Sequence, residues 1–363
     1  MLKFIHAADF HLDSAFSALP PGQAQARRRE SRELVFRLAD YVNEHDVALV
    51  LLAGDLFDSA SPYQETGEAL AEAFGRMRAR VFAAPGNHDW YGPGSPWLTV
   101  KWPENVHIFQ ENALTAVPLP EWNAVVHGGA FTGPEQGTSL LAGFTAPDDG
   151  RVHLGLLHGE IEPSEARYNP LRREEIAASG LDYLALGHIH KRAEPRRYGD
   201  KTLCAWPGCM EGRGFDELGP KGFYEGAADG GRVTLTFVPF ARRRYEILDV
   251  DVTGRSPRAA LEAALPEDTA GDLYRIRLTG EAAEADPRAL ETALSGRFYA
   301  LEVRDCTQVA EDVWNRAGED SLRGLFLREL RARRDAAGDD AERELITRAV
   351  RFGLAALDHR DLG

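Results

Sequence analysis

Carboxylates, imidazoles and one carboxamide recur in five short segments: Asp9 with His11, Asp55 with Asp58, Asn87 with His88 and Asp89, His158 with Glu160, and His188 with His190. These are the oxygen and nitrogen donors that divalent cations of intermediate softness accept. A carboxylate has two oxygens, so Asp55 is expected to bridge two cations about 3.5–4 Å apart. Gly54, just before it, permits the close turn this needs. The chemistry to expect from such a pair is metal-assisted attack of water on a phosphate ester.

The neighbours divide the remaining work. Asn87 can ligate without adding charge, while His88 stays off the metal and donates a proton to the departing oxygen or steadies the pentacovalent phosphate. Asp58 is expected to orient a ligating imidazole, and Asp89 to orient His88 or else cap its own loop. His158 offers another nitrogen. His188 and His190, in the tight segment Gly187-His188-Ile189-His190, can address opposite cations. Asp9 and His11 alone say little, because residues two apart share a face even in a plain strand.

Each segment follows an apolar run, which places it on a loop beyond a strand end, where layered α/β folds collect binding residues. The runs at 2–7, 47–53, 81–84, 125–127, 153–158 and 183–186 read as strands, and their weak alternation fits burial on both faces. A first long helix is expected over 27–45, with Leu34, Leu38, Tyr41 and Val42 on one face, and a second ends near Met77. Pro20-Pro21-Gly22 reads as an irregular connection, and 132–150 as a flexible surface insertion. Further strands are expected at 202–205, 222–227 and 233–239.

The pattern changes after Tyr245, and a boundary near Arg242 gives domains at 1–241, 242–308 and 309–363. The second alternates strand and helix, as a small α+β domain does. The third carries two helices over 321–359 separated near Gly338. Their apolar faces, Leu322, Leu325, Phe326 and Leu330, then Leu345, Ala349, Phe352 and Ala356, serve packing or the docking of a partner.

With 363 residues, 44% of them hydrophobic, the chain can bury one large core and a smaller one. No apolar run reaches the roughly 18 residues of a membrane span, and the first residues enter a strand pattern directly, which predicts a soluble cytoplasmic protein. Cys204, Cys209 and Cys306 fit neither a disulfide framework nor a zinc knuckle. A net charge of −15 excludes broad electrostatic attraction to nucleic acid. Any such contact must be local, drawing on Arg172, Arg173, Lys191, Arg192 and Arg213 at the rim. Trp90, Tyr91, Trp97 and Trp102 offer aromatic faces for unpaired bases, or else pack the loop.

The five segments, in this order, resemble the signature of the calcineurin-like metallophosphoesterase superfamily over most of residues 2–239. A narrower resemblance is to the SbcD-type DNA double-strand-break repair exonucleases, in their YhaO-like branch. It is carried by Ala-Ala-Asp-Phe-His-Leu-Asp at 7–13, Leu-Ala-Gly-Asp-Leu-Phe-Asp at 52–58, Pro-Gly-Asn-His-Asp at 85–89 and Leu-His-Gly-Glu at 157–160. Leu-Ala-Leu-Gly-His-Ile-His-Lys-Arg at 184–192 and Trp-Pro-Gly-Cys-Met-Glu-Gly-Arg at 206–213 extend it.

The resemblance implies an α/β fold, a layered metallophosphoesterase β-sandwich flanked by helices, followed by a small capping domain and terminal helices. It implies that Asp9, His11, Asp55 and His190 serve one metal, that Asp55, Asn87, His158 and His188 serve the other, and that His88 is catalytic. Manganese is the implied cation, consistent with mixed oxygen and imidazole ligation. DNA as substrate, with exonuclease or endonuclease action, a coiled-coil ATPase of the SbcC type as partner and a homodimer are implied in the same way. Trp90, Tyr91, Lys191, Arg192 and Arg213 are the candidate substrate contacts. A small-molecule phosphodiesterase or phosphatase and a noncatalytic, metal-stabilised scaffold are the competing expectations.

Overall fold

The computed structural model describes residues 1–163, 165–282, 285–309 and 311–357. The chain forms two compact units, Met1–Arg244 and Tyr245–Gly363. The division falls three residues after the expected 241, and the small domain and helical tail expected as separate form one unit.

Among its described residues the first unit contains fourteen strands: β1 (Leu2–Ala7), β2 (Leu49–Leu52), β3 (Arg80–Ala83), β4 (Val106–Ile108), β5 (Thr115–Leu119), β6 (Ala124–Gly128), β7 (Val152–His158), β8 (Glu160–Ile161), β9 (Pro170–Leu171), β10 (Tyr183–Gly187), β11 (Arg196–Tyr198), β12 (Thr202–Ala205), β13 (Gly222–Asp229) and β14 (Arg232–Pro239). Its helices are α1 (Pro21–Glu44), α2 (Gln64–Gly75), the single turn α3 (Pro96–Thr99) and α4 (Arg173–Ala178). Two six-stranded sheets result, ordered β14-β13-β1-β2-β3-β4 and β11-β12-β10-β7-β6-β5.

Side-chain alternation makes these sheets a sandwich. Phe4, Leu49, Leu51 and Phe82 of the first sheet pack with Val126, Leu154, Leu156, Tyr183 and Ala185 of the second. The other face of the first sheet, with Ile5, Val50, Leu52 and Val81, is covered by Leu34, Val35, Leu38 and Val42 of α1 and by Leu70 and Phe74 of α2. Leu157, Leu184 and Leu186 on the far side of the second sheet meet Ile176 of α4. Central strands buried on both faces have little room for alternation, which is why their sequences read as continuous apolar runs.

Two expectations are corrected here. Helix α1 starts at Pro21, six residues before Arg27. Proline's missing N–H costs nothing in the first turn of a helix, so Pro20-Pro21 opens the helix rather than delaying it. Residues 132–150 are irregular, but they are not a loose insertion. Leu140, Leu141 and Ala146 are buried against the second sheet, and the Leu140 N–H donates to Asn169 Oδ1 at 2.8 Å.

The second unit has a parallel sheet of β15 (Tyr245–Asp251), β16 (Leu273–Thr279) and β18 (Ala300–Asp305), with a short parallel pair β17 (Glu281–Ala282) and β19 (Gln308–Val309). Helices α5 (Pro257–Ala264) and α6 (Pro287–Leu294) pack on one face of the larger sheet through Leu261, Leu290 and Leu294. Ser256 and Asp286 cap them by accepting the Ala259 and Ala289 N–H groups. The turn α7 (Glu311–Asn315) and helices α8 (Leu322–Ala336) and α9 (Asp340–Leu357) share a core of Trp314, Leu327, Ile346 and Val350. Arg351 of α9 donates to the Asp305 and Thr307 carbonyls, which ties the tail to this sheet. Positions 358 and 359 of the expected tail helix lie outside the described residues. Among the described residues no helix is long and apolar enough to cross a membrane.

Candidate metal centre

Five parallel strands deliver the candidate ligands from their C-terminal ends. Asp9 follows β1, Asp55 follows β2 and Asn87 follows β3, while His158 ends β7 and His188 follows β10. The loops are laced together: the Asp9 N–H donates to the Gly54 carbonyl and the His11 N–H to the Asp55 carbonyl, both at 3.0 Å. Asp9, His11, Asp55 and His188 all lie in the left-handed region, with φ of 53°, 44°, 51° and 94°. Strain of this kind in non-glycine residues persists where surrounding structure enforces it, as at functional sites. Gly86 is required by proximity, since a methyl group there would collide with the Asp55 carboxylate.

Hydrogen bonds fix which imidazole nitrogens face inward. His11 Nδ1 lies 3.0 Å from Asp58 Oδ1, and His190 Nδ1 lies 2.7 Å from Glu217 Oε1, closer than the Arg213 terminal nitrogen at 3.0 Å. We assign the ring protons to these carboxylates. Both Nε2 atoms then carry bare lone pairs, and they face each other at 3.0 Å. Two lone pairs at that separation repel unless a cation shares them, so this donor pair fits a metal. Asp9 completes the group, with ligand atoms of all three residues within 4.8 Å of one another.

The second set is built alike. His158 Nδ1 donates to the Ala53 carbonyl at 2.8 Å, which turns Nε2 toward Asn87 Oδ1 at 2.9 Å and Asp55 Oδ2 at 3.3 Å. Asn87 Oδ1 is also 3.1 Å from His188 Nδ1. Asp9, Asp55 and His158 form a second fully buried group able to hold a metal ion. Asp55 Oδ2 lies 3.8 Å from His11 Nε2, so one carboxylate borders both sets.

Charge follows this geometry. Burial opposes ionisation of Asp55, yet the adjacent His158 holds its carboxyl well below the usual range. Burial would lower His158, but the Asp55 carboxylate outweighs it and raises the imidazole to about 9. His188 is pushed down to about 3 by burial and by His158. Burial raises Asp9.

His88 is exposed at the edge of the cluster, its ring perpendicular to that of His11 with centroids 4.8 Å apart. Its Nδ1 donates to the Asp58 carbonyl at 3.0 Å, leaving Nε2 free. Asp58 thus orients two imidazoles, His11 through its carboxylate and His88 through its backbone. Asp89 does not touch the His88 ring. Its Oδ1 accepts the N–H groups of Gly86 and Asp55, and its Oδ2 those of Leu56 and Phe57, which fastens two ligand loops together.

The expected rim residues separate. Arg213 bridges Asp58 Oδ1 at 3.1 Å and Glu217 Oε1 at 2.8 Å and is therefore not a free cation for substrate. Arg192 is exposed, with its guanidinium over the Phe237 ring, and Lys191 is exposed. Arg172 is exposed, and Arg173 pairs with Glu162 at 2.8 Å. Trp97 is core, stacked on Trp102 and donating to the Asp89 carbonyl. Tyr91 packs against both sheet cores, and Trp90 is half-buried. Glu160 Oε1 lies 3.9 Å from His188 Nε2. Sequence reasoning missed Glu217; its four-residue spacing from Arg213 was the only signal, and such pairs are common on surfaces.

A metal-binding, layered sandwich with ligands at five strand ends matches what comparison with known proteins finds. Residues 2–192 match the calcineurin-like phosphoesterases. Over 330 residues the chain is 34% identical to the uncharacterized metallophosphoesterase YhaO of Bacillus subtilis (strain 168), covering 85% of this chain and 79% of that protein. Matched segment, fold and converging donors agree, and the chain belongs to the calcineurin-like phosphoesterase family.

Proposed function

We propose that the protein is a two-metal phosphodiesterase that hydrolyses DNA phosphodiester bonds, as an exonuclease or endonuclease. The observation that carries this reading is the double donor set. Asp9, His11 and His190 stand on one side, Asn87, His158 and His188 on the other, with Asp55 bordering both. Two divalent cations held there, manganese in this reading, would supply Lewis-acid polarisation of the phosphate and an acidified water.

The protein's own groups do the rest. Asp58 fixes the His88 ring, and His88 protonated at Nε2 donates to the departing ester oxygen. Asp55 also accepts the His88 backbone N–H at 2.9 Å, so the acid and the shared carboxylate move as one piece. No covalent bond to the protein is needed.

DNA as the substrate is supported by the resemblance of 184–192 and 206–213 to SbcD-type nucleases and by Trp90, Lys191 and Arg192 near the site segments in sequence. A coiled-coil ATPase partner is supported by the stripe Leu345, Ala349, Phe352 and Ala356 on α9. Leu345 and Phe352 are 66% and 62% exposed, and the 4-3-4 spacing is that of a coiled-coil seam. A homodimer belongs to the same reading.

The net charge of −15 favours a second reading, a small-molecule phosphodiesterase or phosphatase. Turnover by the manganese-loaded protein decides between them. It should be compared on DNA with free, blocked and hairpin ends, on bis-p-nitrophenyl phosphate, on cyclic nucleotides and on phosphomonoesters. Strict preference for a soluble metabolite overturns the nuclease reading.

A further inference from the structure

The segment 206–221 follows the last ligand loop, and none of its side chains carries a step of the hydrolysis proposed above. It encloses His190 on several sides. The Cys209 N–H and the buried Lys221 Nζ both donate to the His190 carbonyl, at 3.1 and 3.3 Å. Gly208, at φ 79°, sits where a Cβ would come within 2.7 Å of that carbonyl. Glu217 Oε1 accepts from His190 Nδ1 at 2.7 Å, and the Arg213 backbone N–H donates to Glu217 Oε2 at 2.8 Å. The segment is anchored in turn to α1: Glu211 pairs with the buried Arg27 at 2.8 Å and accepts from Ser31 at 2.7 Å.

Arg213 occupies the pivotal place. One terminal nitrogen reaches Asp58 Oδ1, which orients His11; the other reaches Glu217 Oε1, which orients His190, and lies 3.0 Å from His190 Nδ1 as well. We propose that Arg213 is a positioning residue that locks the two carboxylates, and through them both imidazoles, into one unit. It thereby sets the affinity of the cation site formed by Asp9, His11 and His190, and leaves the Asn87, His158 and His188 site unaffected. This rests on the two-cation reading above. A guanidinium can span two carboxylates with separate nitrogens, whereas an ammonium offers its three N–H donors from one nitrogen. Lysine at this position would keep the charge and lose the bridge.

The test is titration of the metal-stripped, full-length protein with Mn²⁺, followed by electron paramagnetic resonance and calorimetry. Wild type, Arg213→Lys, Arg213→Ala and Glu217→Gln are compared, with thermal unfolding of each metal-free variant as the check on folding. Loss of groups that orient ligating histidines typically weakens metal binding about 10–100-fold. The wild type is expected to show two classes of site, and Arg213→Lys to weaken one by that factor while the other holds. Equal weakening of both classes, or no change, overturns the proposal. A single class in the wild type overturns the two-cation reading instead. The role of Arg213 is then upheld if Arg213→Lys weakens that one class and refuted if it does not.

Discussion

Asp89→Asn is the sharpest single perturbation of this site, because it keeps side-chain volume and changes only hydrogen bonding. The Asp89 carboxyl is fully buried and accepts four backbone N–H groups at 2.8, 3.2, 2.8 and 3.3 Å, from Gly86, Asp55, Leu56 and Phe57. Burial and the nearby Asp55 carboxylate push it up to about 7, so it is not fully charged at neutral pH. We therefore use the neutral hydrogen-bond value of about 1 kcal/mol each. An amide offers one oxygen, so two bonds are lost and its NH₂ faces two buried donors. Two lost bonds, about 2 kcal/mol, plus partial desolvation of the stranded donors give about 3 kcal/mol. For a unit of this size the unfolding midpoint should fall by about 6–12 °C. Calorimetry of metal-stripped wild type and variant reads this directly. A midpoint within about 2 °C of wild type would refute the claim that Asp89 fastens the two ligand loops.

Three further outcomes follow from the same geometry. His88→Ala should lower kcat by about 10²–10⁴-fold at unchanged metal content; undiminished turnover would remove His88 as the proton donor. Gly86→Ala places a methyl against the Asp55 carboxylate, so metal affinity should drop alongside an overpacking cost of about 1–3 kcal/mol, and normal loading by metal titration would show that this approach is not tight. His158, raised from 6.5 to about 9, stabilises the metal-free fold when protonated. That contribution is full below pH 6.5 and is lost as pH rises through about 9. The stripped protein should lose thermal stability across this window, His158→Gln should not, and metal binding near about pH 7.5 should release protons. A calorimetric heat independent of buffer ionisation enthalpy would contradict this.

How far the site was legible depends on whether a signal is local. Ligand types and their positions after apolar runs can be read from the sequence because strand burial and loop chemistry are encoded over a few residues, as at Leu49–Leu52 followed by Gly54 and Asp55. Helix α1's start was misread because Pro21 has opposite meanings at the first turn of a helix and in a loop, and only packing selects between them. The 132–150 segment was misread for a related reason: Leu140 and Leu141 look like a loop's incidental apolar residues until the second sheet supplies a surface for them.

By itself the sequence determined the candidate donor set and its order: two carboxylates, one carboxamide and four histidines at five strand ends, with His88 beside Asn87. The tertiary structure alone decided how those donors are held. It gave Asp89 to the backbone of two loops instead of to His88, and made Arg213 a bridge between carboxylates instead of a rim cation. It also brought Glu217 to His190 across 27 residues. The physical reason is that a ligand is chosen by its own chemistry, which is local. Its orientation comes from hydrogen bonds between chain segments far apart in sequence, and those exist only once the two sheets have packed.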